Sequence, residues 1–440
     1  MEVAHWAQRL AALGEETSVP GAVLGVWADG EATVVPFGVL STRTGVETTA
    51  DSVFQIGSIT KTWTATMIAQ LVDEGLASYD ATVADLLPGA RLCRDDIAAR
   101  VTVEHLLTHS SGVDGDVFDD TGRGDDCVAK YVALLADADH DFEPGDASSY
   151  CNSGFVVLGR IIEVLDGRTW DESLRARLVD PLGLPDTVTL ADEAILRLAA
   201  VGHKGPPDPG APYDTWAIPR SAGPAGGITA TAADLLTYAR LHLDDPDSLS
   251  EMRRPRRTMP PGSEFSAVGL AWRLAHWSGT EVIGHDGGTI GQCAALRVLP
   301  ERGIAVCVLT NGANGGTLND RLLAEVLRDV AGVEVPSPPA PDPDAAPTGL
   351  ARHEGTYRRR GIACDVAVAD DELSITFRPD FGLGGIDDEP ETIAMLPVDS
   401  SGDRFVGRSD PSEEWFPVTF GTLPDGRAQV TFSGRITPRV

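Results

Sequence analysis

The spacing of apolar and polar residues predicts a helix and two strands at the start of the chain. Residues 3–13 repeat with a helical period, and two valine-rich runs follow, Gly21 to Trp27 and Ala32 to Gly38, on either side of a turn at Asp29-Gly30. Apolar runs of this length that are joined by turn residues are typical of β-strands.

The middle of the chain has a helical pattern, and strand patterns return after it. Helices are predicted after a turn at Gly57, over Val103 to Thr108, from about Gly154 to Leu165, and from Thr231, where a threonine cap precedes a helical apolar period. The runs GLAWRLAHW, TEVIGHDGG, QCAALRVLP and GIAVCVLTN are of strand type, and Arg321 to Val330 is a closing helix. This order predicts one antiparallel sheet assembled from both ends, with a helical region inserted.

The pattern changes again after residue 333. Residues 334–349, EVPSPPAPDPDAAPTG, form a proline-rich linker of semi-rigid polyproline type. Short period-2 runs follow, such as DVAVADDELSITF and GRAQVTFSGRI, and they predict a small antiparallel β-barrel or sandwich. We therefore divide the chain into a large N-terminal domain over 1–333, a linker over 334–349 and a β-domain over 350–440.

Composition and charge narrow the function. The net charge of −31 disfavours nucleic acid and anionic membranes as partners. Six cysteines without a CxxC pair are expected to be reduced thiols, and MEVAHWAQRL has the features of neither a signal peptide nor a membrane span. We expect a cytoplasmic protein and leave its oligomeric state open.

Ser58 and Lys61 are the first candidates for chemistry. A serine hydroxyl needs a nearby base to act as a nucleophile, and positions i and i+3 share one face of a helix. The helix N-terminus also offers backbone N–H groups to a developing oxyanion. The alternative for this motif alone is a serine cap and a lysine that extends to solvent; Gly57 before it and the apolar helix after it favour the catalytic interpretation.

Tyr150 and Asn152 are the second pair of candidates. A phenol can act as a base if a nearby ammonium, here that of Lys61, lowers its pKa from about 10. The Asn152 amide can hold the lysine and hydrogen-bond a substrate carbonyl. A turn tyrosine with a capping asparagine is the alternative for this motif by itself.

His285, Gly287 and Gly288 form the third candidate group, on a predicted strand. Paired glycines let another backbone approach closely, so the Gly288 N–H can join that of Ser58 as an oxyanion donor. His285 is expected to line the site as a hydrogen-bond donor or as a charge, although a lone histidine is more often structural.

The three motifs in this order, SxxK, YxN and HxG, resemble those of the penicillin-binding-protein and serine β-lactamase superfamily in its class C branch. Connecting segments such as FQIGSITKTWTA, VTVEHLLTHSSGV and AGGITATAADLL resemble the family as well, over roughly residues 15–330. The resemblance implies an α/β (α+β) domain with a central antiparallel sheet and a helical subdomain. The β-domain resembles the lipocalin-like barrel of some D-aminopeptidases and penicillin-binding-protein-type thioesterases.

Departures from the family pattern shape the expected activity. His285 stands where β-lactamases carry lysine, which argues against efficient β-lactam hydrolysis, and Cys151 replaces the usual serine of the second motif. The resemblance implies an acyl-serine enzyme without a metal or organic cofactor. A peptidyl thioester, possibly carrier-bound, is the preferred donor, and release or cyclisation of a nonribosomal peptide is the preferred reaction. Cytosolic ester or D-amino-acid amide hydrolysis, transacylation in biosynthesis, and a penicillin-binding sensor or pseudoenzyme are the alternatives.

Three further residues are candidates for substrate binding. Trp216 lies in the loop APYDTWAIPRSAGPAGG, which can wall the pocket or simply pack in the core. Arg435 and Arg439 lie near the C-terminus. If the barrel folds over the site, one of them can hold a substrate carboxylate in a bidentate pair; a solvated arginine is the alternative.

Overall fold

An antiparallel sheet of eight strands forms the centre of the N-terminal part of the computed structural model, which describes residues 2–94, 96–206, 208–244, 247–380, 389–409 and 414–440. Its spatial order is β2-β1-β10-β9-β8-β7-β6-β5, and β3 pairs with β4 in a separate small sheet. The strands are β1 Gly21–Ala28, β2 Glu31–Gly38, β3 Phe54–Gln55, β4 Thr229–Ala230, β5 Arg257–Thr258, β6 Ala267–Val268, β7 Arg273–Trp277, β8 Thr280–Gly288, β9 Cys293–Leu299 and β10 Ile304–Thr310.

The prediction of a sheet assembled from both ends of the chain is confirmed. Strand β1, near the start of the chain, pairs antiparallel with β10, with Ala22 opposite Thr310 and Trp27 opposite Ala305. Strands β8 and β9 pair through Ile283 and Val298. These pairings place the third motif, at the end of β8, in the interior of the sheet between β7 and β9.

Helices cover both faces of the sheet. They are α1 Val3–Thr17, α2 Thr60–Asp73, α3 Val83–Leu86, α4 Val103–Leu107, α5 Cys127–Leu134, α6 Asn152–Asp166, α7 Trp170–Leu174, α8 Asp180–Leu182, α9 Ala191–Ala194, α10 Gly223–Gly226, α11 Ala232–Leu243, α12 Asp247–Ser250 and α13 Gly315–Val326. Helices α1 and α13 pack on one face in a cluster that includes Trp6 and Leu322, and α2, α6 and α11 share the larger core on the other. None of the helices in the described ranges is long and apolar enough to cross a membrane.

Local capping explains where the helices begin. Thr231 accepts a hydrogen bond from the Asp234 amide, as its position before α11 predicts. Helix α6 starts at Asn152, two residues earlier than the predicted Gly154, because Cys151 caps it: its Sγ accepts the Gly154 amide at 3.2 Å. The closing helix also starts earlier than predicted, at Gly315.

A second sheet of eight strands follows the proline-rich segment and forms a nearly closed antiparallel barrel. Its strands are joined in chain order and are β11 Gly355–Arg359, β12 Gly361–Ala369, β13 Glu372–Asp380, β14 Glu391–Pro397, β15 Arg404–Gly407, β16 Phe416–Thr422, β17 Ala428–Phe432 and β18 Arg435–Pro438. A bridge between Tyr357 and Arg439 brings the first and last strands together. The barrel has its own core, which includes Tyr357, Phe405 and Val430.

Candidate active site

Ser58 and Lys61 lie on one face at the start of α2. A 3₁₀ turn, Gly57–Ile59, leads into the helix and places the two side chains together. The Nζ atom of Lys61 donates to Ser58 Oγ at 2.9 Å and to the Ala225 carbonyl oxygen at 2.6 Å. Lys61 is completely buried, and burial lowers the pKa of its ammonium because the charged form loses hydration.

Tyr150 lies against this pair. Its ring centre is 4.9 Å from Lys61 Nζ. Burial alone would raise the pKa of the phenol, but the charges of Lys61 and Arg273, with hydrogen bonding to Lys61 and Ser58, outweigh it and lower the pKa below its ordinary value. The structure thus brings together Ser58, Lys61 and Tyr150, in an arrangement that makes the phenol easier to deprotonate.

The third motif packs directly on the turn that carries Ser58. Gly57 has a φ of +51°, and a Cβ there would lie 2.6 Å from the Gly288 nitrogen. A Cβ on Gly287 would overlap the Ile56 carbonyl oxygen and lie 3.0 Å from the Ser58 nitrogen. Only glycine therefore allows the end of β8 to approach so closely, and this approach sets the Ser58 and Gly288 amides side by side.

His285 is buried on β8. Burial and the nearby charges of Arg273 and Lys61 hold the pKa of its imidazole well below the usual range, which favours the neutral ring. Its Nδ1 is 2.6 Å from the Asp286 carbonyl oxygen, which can only accept a hydrogen bond, so the Nδ1 carries the proton. In the neutral ring Nε2 is an acceptor, whereas the sequence predicted a hydrogen-bond donor or a charge.

Arg273 is a cation near both the third motif and Tyr150, and the motifs did not predict it. It lies on β7, opposite Gly284 of β8, and its guanidinium carbon is 5.8 Å from the Tyr150 ring centre. Asp286 accepts from Arg273 at 3.1 Å and from the buried Arg297 at 2.6 Å. Only the strand pairing, which sequence patterns do not specify, brings this arginine to the site.

Asn152 is held by Asp116. Its Nδ2 donates to the Asp116 carboxylate at 3.2 Å, whereas Lys61 is held by Ser58 and the Ala225 carbonyl. The amide nitrogen has a second N–H, so the predicted hydrogen bond to a substrate carbonyl is still open to Asn152.

The two C-terminal arginines have different positions. Arg435 lies with its guanidinium carbon 4.9 Å from the Tyr150 ring centre and is ion-paired with Asp116 at 2.8 Å. Arg439 lies on the closing seam of the barrel, where it donates to the Arg352 carbonyl oxygen. The barrel therefore does reach the site, through Arg435, and Arg439 belongs to the barrel wall.

Trp216 lines a small cavity with Gln55, Ile218 and Gly226. Its indole nitrogen donates to the Ala200 carbonyl oxygen at 2.8 Å. A second cleft borders Tyr150 and Arg273 and includes Met259, Val268 and Gly434 of the barrel. The second cleft therefore reaches Tyr150 directly, and the cavity beside Trp216 is separate from it.

This fold and this site define a serine hydrolase or acyltransferase, with a helix-borne serine beside a buried lysine and a tyrosine. A family model described as beta-lactamase matches residues 6–329, and the chain belongs to this family.

Individual proteins and solved structures are also similar to this chain. The chain is 43% identical over 377 residues to penicillin-binding protein 4 of Amycolatopsis lactamdurans, an alignment that covers 82% of this chain and 98% of that protein. The solved structure of SurE matches with a TM-score of 0.80 and 28% identity over 100% of this chain and 99% of SurE, and SurE with D-Leu matches with a TM-score of 0.78. A D-stereospecific amidohydrolase from Streptomyces sp. matches with a TM-score of 0.62 and 26% identity, over 74% of this chain and 98% of that chain.

Proposed function

We propose that this protein transfers a peptidyl group from a thioester to Ser58 and then to an amine, so that it releases a nonribosomal peptide in cyclic form. The observation that carries the proposal is the buried contact of Lys61 Nζ with Ser58 Oγ at 2.9 Å, beside a tyrosine whose pKa is lowered. The thioester donor is inferred from the combination of the N-terminal domain with a C-terminal barrel, and from the relatives.

In the first step, Ser58 Oγ attacks the thioester carbonyl. The hydroxyl proton passes to the Lys61–Tyr150 pair, which shares its protons, and the Ser58 and Gly288 N–H groups stabilise the oxyanion. Collapse of the tetrahedral intermediate breaks the carbon–sulfur bond, and the pair returns the proton to the leaving thiolate. An ester between the peptide and Ser58 results.

In the second step, an amine attacks this ester. The amine must be neutral to act as a nucleophile, and the cations of Lys61, Arg273 and Arg435 near Tyr150 disfavour its protonated form. Tyr150 or Lys61 accepts the proton that the amine loses, and the Ser58 oxygen leaves with a proton from the same pair. The cleft beside Tyr150, which includes Met259, is the place for the acceptor.

The preference for D-configured residues rests on two of the relatives. SurE, which is similar to this chain over the whole length and therefore includes the barrel, has been crystallised with D-Leu. A D-stereospecific amidohydrolase is similar to the catalytic domain. We propose a D-configured residue at the C-terminus of the peptidyl donor on this basis.

Substrate contacts are assigned to the residues that flank the site. Arg435 faces the Tyr150 ring and is placed to contact an anionic or carbonyl group of substrate, and Trp216 lines a cavity for an apolar side chain of the donor. Gly287 shapes the cleft by keeping β8 against Ser58. The proposed mechanism needs neither a metal nor an organic cofactor. Because the proposed donor is carrier-bound, we propose that the enzyme acts in the cytoplasm.

A second candidate function is hydrolysis of esters or D-amino-acid amides, and it is favoured by the same relative that is D-stereospecific. A transacylase uses the same acyl-enzyme with a different acceptor. A structural pseudoenzyme is disfavoured because it would be expected to lose Lys61 or Tyr150, and this chain retains both.

The products of one reaction separate these functions. The protein is mixed with a peptidyl thioester that has a D-configured C-terminal residue and a free N-terminal amine, and products are followed by mass spectrometry. A cyclic peptide supports the proposal. Linear acid alone from the wild-type protein contradicts it and supports the hydrolase, and an N-acetylated donor serves as the control that cannot cyclise.

A further inference from the structure

The buried carboxylate of Asp116 is contacted by residues of both domains. It accepts from Asn152 Nδ2 at 3.2 Å and from Arg435 Nη2 at 2.9 Å, and it pairs with Arg359 Nη1 at 2.8 Å. The Asp116 side chain is only 4% exposed and that of Arg359 8%. A buried carboxylate with this many cationic and amide donors is held in one position.

The two arginines belong to the barrel, whereas Asp116 and Asn152 belong to the catalytic domain. Arg359 lies at the end of β11 and Arg435 at the start of β18. The turn between β17 and β18 also binds the same segment through its backbone: the Gly434 carbonyl oxygen accepts the Tyr150 amide at 2.9 Å. The barrel thus contacts Tyr150 directly and reaches Asn152 through Asp116.

We propose that Asp116 and Arg359 are positioning residues, through which the barrel fixes the amide of Asn152 and so completes the active site. A carboxylate can only accept hydrogen bonds, so Asp116 determines that the nitrogen end of the Asn152 amide faces it and holds the amide in one orientation. Without the barrel arginines, the buried carboxylate lacks its counter-charges and the amide loses its fixed partner. The proposal rests on the acyl transfer at Ser58 proposed above and adds the residues that tie it to the barrel.

A double-mutant cycle on the full-length protein tests this linkage. Asp116→Asn, Arg359→Gln and the double variant are compared in single-turnover acylation by a neutral aryl ester, which offers no carboxylate to any arginine. Each single variant is expected to lower the maximal acylation rate about tenfold or more, and the double variant is expected to be no slower than the slower single variant, because both changes break one linkage. Arg359→Lys, which keeps the charge, is expected to recover part of the rate.

Arg360→Gln is the matched control at the same domain interface. Arg360 is 43% exposed; it pairs with the exposed Asp119 at 3.1 Å and, at the longer distance of 3.7 Å, with the buried Asp114. This variant is expected to acylate at the wild-type rate. Thermal melting of every variant shows whether the protein remains folded, and the comparison is made among the variants that melt as the wild type does.

The outcomes separate this inference from the proposed function. Three results would each overturn the positioning role while Ser58 still reacts. The first is a wild-type acylation rate in folded Asp116→Asn. The others are rate losses that multiply in the double variant and a loss in Arg360→Gln equal to that of the single variants. Absence of acylation of the wild-type protein by esters and thioesters alike would overturn the proposed function itself.

Discussion

The guanidinium of Arg273 lies 5.8 Å from the centre of the Tyr150 ring and donates to Asp286 on the neighbouring strand at 3.1 Å. The family's β-lactamases carry a lysine in the third motif, where this chain has a neutral His285. Arg273 therefore supplies positive charge to the phenol from β7. Its charge lowers the pKa of both Tyr150 and Lys61.

Arg273→Gln is expected to move the acidic limb of activity to higher pH. The site loses its base when the Lys61–Tyr150 pair is fully protonated, so kcat/KM falls as pH falls through the pair's lower apparent pKa. Removing a cation raises the pKa of both groups and makes protonation easier. The measurement is a kcat/KM profile with an aryl ester between pH 5 and pH 9, beside Arg328→Gln on the exposed surface as control. An acidic limb that stays at the same pH in Arg273→Gln, or that moves to lower pH, contradicts the electrostatic role of Arg273.

Gly287→Ala is expected to lower acylation sharply. The added Cβ overlaps the Ile56 carbonyl oxygen and approaches the Ser58 nitrogen at 3.0 Å, so β8 must move away from the serine turn. Displacing one oxyanion donor costs about 10²–10³ in kcat. Pre-steady-state acylation measures the effect. Gly316→Ala, on α13 with open space around its Cβ, is the control and is expected to react as the wild type does. Equal acylation rates in Gly287→Ala and Gly316→Ala would contradict the role of close packing at Gly287.

Cys151→Ser is expected to leave acylation unchanged, and Cys151→Ala to lower stability by about 1 kcal/mol. The thiol caps α6 through the Gly154 amide, and burial raises its pKa to about 12, so it remains a neutral thiol. Serine is a better cap than cysteine and has a similar size. Thermal unfolding and the acylation rate are measured together. Loss of acylation in a stable Cys151→Ser protein would assign the thiol a part in the chemistry.

Asp141→Asn is expected to stabilise the protein above neutral pH. Burial and the neighbouring charge of Asp114 raise the pKa of the Asp141 carboxyl to about 7, above its value of about 3.9 in an unfolded chain. The unfolded state therefore binds fewer protons than the folded state between these values, and stability falls as pH rises through that window. Because Asp141 is only half-buried, the gain of the variant at pH 8 is on the order of 1 kcal/mol.

Melting temperatures at pH 4 and pH 8 measure the effect of Asp141→Asn. The variant and the wild type are expected to agree at pH 4 and to differ at pH 8, with the variant higher. Asp137→Asn, at an exposed carboxylate, is expected to match the wild type at both values. A variant that is less stable at pH 8 would show that the ionised carboxylate of Asp141 is favoured by its surroundings.

The parts of the site that the sequence predicted are those that local structure determines. Ser58 and Lys61 are three residues apart on one helix, and Thr231 caps the helix that it precedes. The central sheet, its inserted helices and the C-terminal barrel followed from the order of apolar patterns together with the family resemblance.

The residues that were missed act through long-range contacts. Arg273 reaches Tyr150 because β7 pairs with β8 in one register, and Asp116 meets Arg359 only when the barrel docks. Arginine and aspartate are common in this chain, so neither stood out by type or spacing. The neutral state of His285 also depends on burial and on Arg273, which no pattern along the chain specifies.

The most direct test is the intact mass of the protein after brief exposure to a peptidyl thioester with a D-configured C-terminal residue, followed by peptide mapping. The account predicts that the wild type gains the mass of the acyl group, that the modified residue is Ser58, and that Ser58→Ala gains no mass. An adduct that persists in Ser58→Ala, or one that maps to a cysteine, would contradict the assignment of Ser58 as the nucleophile.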